Sequence, residues 1–188
     1  MALDEALFRA INGLAEHSAI ADWLMLILAQ SSNLFLPGLL VFVYWLWLDK
    51  REALVGSAVL AGVIVINDFI GAQVKYLVAR PRPCAVLDHI HQLTGCGGTF
   101  SFPSNHAMNT AAAAAFAQVL YPSSGWVTWP LVALIGFSRV YVGAHYVTDV
   151  LGAWALGAGI GIVAGWTLLR WPKFSLNRAK PKMGEGTT

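Results

Sequence analysis

Charge is scarce in this chain. Twelve lysines and arginines and ten aspartates and glutamates are all that 188 residues carry, 12% of the sequence, against about 25% in ordinary soluble domains. The formal net charge is only +2 and the basic residues form no long block, which argues against a protein that tracks a nucleic-acid backbone. The pattern of a secretory leader is not seen in the opening residues either. The opening stretch MALDEALFRAINGL has no basic start, apolar middle or small-residue cleavage site, so it is expected to stay on the protein. Cysteine is nearly absent, with two residues, Cys84 and Cys96.

What is abundant is apolar. Hydrophobic residues make up 57% of the chain and the mean hydropathy is +0.60, the signature of an integral membrane protein. At about 20 residues per crossing there is room for roughly five or six spans and little else. The expected fold is an all-α, polytopic membrane helix bundle of five or six transmembrane helices with an N-terminal interfacial helix. Residues 1–174 are read as one membrane domain and 175–188 as a basic cytoplasmic tail.

The spans are expected at residues 23–48, 53–74, 106–121, 126–139 and 150–169. The first is softened by Ser31, Ser32, Asn33, Pro37 and Gly38, and reads as one tilted span or two short helices. Before it, Leu3, Leu7, Ile11 and Leu14 share one helical face, as in a helix lying at the bilayer surface. Basic residues in short loops set orientation. Lys50 and Arg51, between the first two spans, and Arg170, Lys173, Arg178, Lys180 and Lys182, after the last, are four crossings apart, so both regions are expected in the cytoplasm. Residues 80–105 and 140–149 then lie together on the outer face, placing a site there at the periplasmic or exterior side of the plasma membrane. Gly157, Gly161 and Gly165 recur every four residues, a pattern for close helix packing. On an oxidising face Cys84 and Cys96 would form a disulfide; two free thiols, or a metal pair with His89 and His91, are the alternatives.

Ionisable groups at membrane depth are expensive and therefore informative. They fall into three groups: KYLVARPRP from Lys75, FPSNHAMN around Ser104, Asn105 and His106, and SRVYVGAHYVTD from Ser138 to Asp149. Ser104 and Asn105 begin a helix, whose free N–H groups and dipole favour an anion. Lys75, Arg82 and Arg139 would add three positive charges, making a phosphate cradle. His145 and Asp149, four apart, would share a helix face, the carboxylate hydrogen-bonding one ring nitrogen and leaving the other basic. His145 is then a candidate nucleophile and His106 a candidate proton donor. Arg80 reads as a headgroup contact, and Asp68 as half of an ion pair with Lys75 or Arg139.

These residues resemble a known family. Lys-x6-Arg-Pro is met by Lys75 to Pro83, Pro-Ser-x-His by Pro103 to His106, and Ser-Arg-x5-His-x3-Asp by Ser138 to Asp149. The tripartite pattern, spanning residues 75–149, is similar to that of the type-2 phosphatidic acid phosphatase superfamily. The resemblance implies a phosphatase without metal or other cofactor, working through a phosphohistidine. His145 would attack phosphorus, Asp149 orient it and His106 protonate the leaving oxygen, while Lys75, Arg82, Ser104, Asn105 and Arg139 hold the phosphoryl group. Asn105 departs from the motif's usual glycine. The Pro-Ser-Asn-His form and the FRAINGL opening are similar to undecaprenyl-diphosphate phosphatases, which implies a phosphorylated membrane lipid as substrate and the bilayer as the other partner. Oligomeric state is not read from the sequence. The rival substrates are phosphatidic acid and phosphatidylglycerophosphate, and the rival from another class is a non-catalytic phospholipid-binding or transport protein.

Overall fold

The computed structural model describes residues 2–172 and Phe174; the expected basic tail at 175–188 and Lys173 lie outside the described residues. The chain is all-α, with eight helices among the described residues: α1 (Ala2–Asn12), α2 (Ala19–Ala29), α3 (Phe35–Leu48), α4 (Lys50–Val78), α5 (Pro83–Val86), α6 (Asn105–Leu120), α7 (Gly125–Tyr141) and α8 (Val147–Arg170). The polar break in the first apolar run divides it. Ser31–Leu34 forms a short 3-10 turn between α2 and α3. Pro37 falls in the first turn of α3, where its missing N–H has no intrahelical acceptor to lose.

Among the described residues, three stretches are long and apolar enough to cross a bilayer by length and composition: Ser31–Leu48, Lys50–Val78 and Val147–Arg170. α6 and α7, with 16 and 17 residues, fall short of the roughly 20 a full crossing needs. α6 is also the most enclosed helix, and its run of buried alanines, including Ala107, Ala111, Ala112, Ala114 and Ala115, suits a helix surrounded by protein.

The seam between α6 and α8 organises the rest. A Cβ placed on Gly157 would lie 2.1 Å from the Met108 carbonyl oxygen, and one on Gly161 would lie 2.2 Å from that of Ala112. The two backbones therefore touch, as the four-residue glycine spacing predicts. Residue numbers rise together along both helices, so α6 and α8 run parallel. Their N-termini meet at one end, where the Ser104 N–H donates to the Asp149 carbonyl at 3.3 Å.

α1 carries two faces. Its apolar stripe turns outward, with Leu3 and Leu7 exposed, and a second face formed by Asp4, Phe8 and Asn12, which the stripe does not reveal, is buried. Phe8 is fully buried against Tyr146, with ring centroids 5.6 Å apart. Asn12 Nδ2 donates to the His91 and Tyr141 carbonyls at 2.7 and 2.9 Å, and its Oδ1 accepts from the His91 N–H. The helix grips the protein with one face and leaves Leu3 and Leu7, followed by Leu14 in the next turn, exposed on the side suited to lipid.

Candidate active site

Three segments arrive at the common end of α6 and α8. The first leaves α4, whose C-cap Ala79 adopts the left-handed conformation at φ 48° and turns the chain into an extended stretch. Arg80 and Pro81 there pair with residues 100 and 101: the Ser101 N–H donates to the Arg80 carbonyl at 2.8 Å, and Pro81 bridges Phe100. Immediately beyond, Cys84 is disulfide-bonded to Cys96, so both alternative readings of the cysteines fall. The bridge brings Gly97, at φ 71°, against the guanidinium of Arg82.

The second segment crosses the cis Phe102–Pro103 bond and enters α6 through Ser104. Lys75, in the last turn of α4, donates to the Pro103 carbonyl. The first bond of α6 runs from Met108 N to the Ser104 carbonyl, which leaves the N–H groups of residues 105, 106 and 107 without an intrahelical acceptor. The third segment leaves α7 after Ser138 and Arg139 and turns into α8.

Six of the eight residues anticipated from sequence line one cavity of about 490 Å³: Lys75, Arg82, Asn105, His106, Arg139 and His145. Ser104 and Asp149, both fully buried, stand directly behind it. Within this ring Arg82 Nε, Arg139 Nε and Ser104 Oγ are buried without a hydrogen-bond partner. Three donors from three segments are thus left for an anionic guest; Ser124 Oγ, Thr128 Oγ1 and Trp154 Nε1 are also unpartnered, but they lie away from the cavity lining.

The two histidines are held differently. His145 Nδ1 lies 2.8 Å from the Ser101 carbonyl and Nε2 lies 3.3 Å from Arg82 Nη1. A carbonyl can only accept, so Nδ1 carries the proton and Nε2 the lone pair. Burial pushes the His145 pKa down to about 4, helped by Arg82 and Arg139 and opposed by Asp149, so the ring is neutral at pH 7. His106 Nε2 instead faces the Leu28 carbonyl at 3.1 Å and acts there as a donor. Arg139 Nη1 donates to the neighbouring Ala29 carbonyl. The end of α2 is therefore part of the site, and Ser31 completes that wall.

Three expectations need correction. α8 starts at Val147, so His145 precedes the helix. The i,i+4 spacing consequently leaves Asp149 Oδ2 3.7 Å from His145 Nδ1, and the direct hydrogen bond goes to Ser101. Asp68 pairs with neither Lys75 nor Arg139; its Oδ1 accepts from Asn105 Nδ2 at 3.1 Å and Asn109 Nδ2 at 3.0 Å. The Asn105 side chain thus turns toward Asp68, and only its backbone N–H remains for an anion at the helix start. Arg80 meets protein carboxylates: Nη2 lies 2.5 Å from Asp4 Oδ2 and Nη1 2.8 Å from Asp149 Oδ1.

Asn109 and Ser31 were not anticipated. Asn109 sits one turn beyond Asn105 in an otherwise apolar helix, a polarity signal that the sequence does carry. Ser31 joins the site through a contact between distant segments, which local pattern does not encode.

A family model described as the PAP2 superfamily matches residues 53–174. The undecaprenyl-diphosphatase BcrC of Bacillus subtilis is 30% identical over 84% of this chain and 80% of its own length. The lipid A 4'-phosphatase of Porphyromonas gingivalis is 29% identical over 85% of this chain and 70% of its own. Among solved structures, a PAP2-type phosphatidylglycerolphosphate phosphatase from Bacillus subtilis aligns with a TM-score of 0.71 at 25% identity, covering 92% of this chain and 88% of that one. Aquifex aeolicus LpxE shares the fold, with a TM-score of 0.69 at 23% identity over 87% of this chain and 95% of that one.

Proposed function

The chain belongs to the PAP2 superfamily, and from that premise we propose that this membrane lipid phosphatase releases the terminal phosphate of an isoprenyl diphosphate, undecaprenyl diphosphate, to leave the monophosphate. One observation carries the reading. A cavity holds an imidazole whose Nε2 lone pair faces Arg82, a second imidazole, His106, and three cations around helix N–H groups.

In the reaction the Nε2 lone pair of His145 attacks phosphorus. The bond from phosphorus to the lipid monophosphate oxygen breaks, and His106 gives that oxygen a proton. Lys75, Arg82, Arg139, Ser104 and the Asn105 N–H hold the phosphoryl oxygens and stabilise their charge in the transition state. Asp149, buried behind His145, steadies the positive charge that the ring acquires. Water then attacks the phosphohistidine while His106 takes its proton, the P–N bond breaks, and inorganic phosphate leaves.

The Bacillus subtilis undecaprenyl-diphosphatase supports the choice of substrate. The structural neighbour that acts on a phosphatidylglycerol phosphate favours a glycerolipid as the second reading. The Cys84–Cys96 disulfide supports a site on an oxidising, outer face of the plasma membrane.

Detergent-purified protein offered undecaprenyl diphosphate, phosphatidylglycerophosphate, phosphatidic acid and a lipid A phosphate should release phosphate fastest from the first. A clear preference for a glycerolipid moves the assignment to the second reading. Rapid quenching should trap an acid-labile, base-stable phosphate on the wild-type protein and none on His145→Ala. Turnover should survive chelator; loss restored by a divalent metal would count against the phosphohistidine route.

A further inference from the structure

The phosphate cradle leaves one buried network unexplained. Arg80 points away from the cavity and binds three side chains at once: Asp149 Oδ1 at 2.8 Å, Thr148 Oγ1 at 2.7 Å and Asp4 Oδ2 at 2.5 Å. Its guanidinium lies over the Tyr146 ring, with Cζ 3.9 Å from the centroid. Asp4 holds more than the arginine. Its Oδ1 accepts the Thr148 N–H at 3.1 Å and its Oδ2 the Thr148 hydroxyl at 2.6 Å, so a carboxylate from α1 caps the first turn of α8 from outside. Burial alone would raise the Asp4 pKa, but the bonds from Thr148 and Arg80 outweigh it and draw the value below the usual range.

The consequence falls on Asp149. One of its oxygens accepts the Tyr146 N–H at 2.8 Å and the other is bound by Arg80. Both anchors lie outside the cavity, and the carboxylate is fully buried. His145, 3.7 Å away, does not hold the carboxylate in place. Whatever Asp149 does for the imidazole, its position is set by Arg80 and the Tyr146 backbone.

We propose that Arg80 is a positioning residue for the reaction: it fixes Asp149 behind His145, and Asp4 fixes Arg80, which makes the surface helix α1 a working part of the active site. The inference rests on His145 and Asp149 serving as proposed above. It assigns Arg80 a role other than lipid-headgroup contact, and it gives α1 a role other than anchoring.

The charged groups facing the His145–Asp149 pair are Arg82 from the loop after α4, Arg139 from α7, Lys75 from α4 and Arg80, with Asp4 from α1 reaching them through Arg80. Removing the Arg80 charge leaves Asp149 less neutralised. Its field on His145 then favours the imidazolium, and the acid limb of kcat/KM should move to higher pH. Removing the Asp4 charge leaves Arg80 more fully available to Asp149, so that limb should move, by less, to lower pH.

The test uses full-length protein in one detergent, with wild type, Arg80→Gln, Arg80→Lys, Asp4→Asn and His145→Ala compared on the preferred lipid. Arg80→Gln should lower kcat by roughly tenfold to a hundredfold, the scale of a small misplacement of a reacting group. KM should stay within about twofold, because Arg80 touches no substrate. Arg80→Lys keeps the charge without the fork, so it should hold the acid limb near the wild-type position while recovering only part of kcat. A rise in KM with kcat retained would make Arg80 a substrate ligand and overturn the proposal. Overturning it equally would be a fall in melting temperature with the acid limb unmoved, which is a structural role only. If His145→Ala keeps its turnover, the reading of the site fails instead. If that variant is inactive while Arg80→Gln behaves as wild type, only the present inference fails.

Discussion

The middle of the α6–α8 pair and its N-terminal end are built on opposite rules. At mid-length Gly157 and Gly161 bring the backbones so close that no side chain fits between them. At the end, polar groups that hydrocarbon disfavours are crowded together: Ser104, Ser138 and Asp149 are fully buried, and His145 nearly so. The first region is held by backbone-to-backbone contact, whereas the second keeps unpartnered donors on Arg82, Arg139 and Ser104 around one cavity. The seam produces the site. Two helices forced into parallel contact deliver two positive dipole ends to one place, and the cations from α4 and α7 are arranged around that point.

The sharpest way to break this comparison is at the seam. Gly161→Leu must displace the α6 backbone, at a cost of about 3 kcal/mol or more, so both melting temperature and turnover should collapse. A variant that stays folded and active would show that the close approach is dispensable. Next in size is Arg82→Met, which removes a buried cation while keeping its bulk. Activity should fall by roughly a hundredfold or more, yet thermal stability should hold or rise, because an apolar isostere carries no desolvation penalty. Parallel loss of both quantities would erase the distinction between the regions.

A smaller effect concerns pH. His145 is neutral in the fold with its pKa pushed down to about 4, below the ~6.5 of an unfolded histidine. The unfolded chain therefore binds the proton first on acidification. Stability from this group should be complete above pH ~6.5 and decline as pH falls toward about 4, and His145→Phe should flatten that part of a melting-temperature profile. The smallest change is Ala79→Gly. The residue sits at φ 48°, so glycine relieves left-handed strain and should stabilise by about 0.5–1 kcal/mol, with kcat unchanged.

Much of this organisation was legible because its causes are local. The glycine spacing names the face α8 turns to α6, and the groups around Lys75, Ser104 and Arg139 mark where helices begin and end. What escaped was set by distance along the chain or by a helix boundary. Arg80 looked like a headgroup contact because its partner Asp4 lies 76 residues away. The His145–Asp149 spacing suggested a hydrogen bond on one helix, but α8 begins two residues after the histidine, and the loop gives its ring to Ser101. α1 was read by its larger apolar stripe, when its narrow buried face makes the specific contacts.

The grip of Asp4 on Thr148 also sets an order of assembly. The two residues are 144 positions apart, so at 5–20 residues per second α1 waits about 7 to 30 s for its partner to be made. During that interval Asp4 and Phe8 have no α8 to dock against, and the exposed leucines of α1 can keep it at the membrane surface. The site is then closed by a helix made well before its partner, with α1 latching onto α8 only once α8 has emerged.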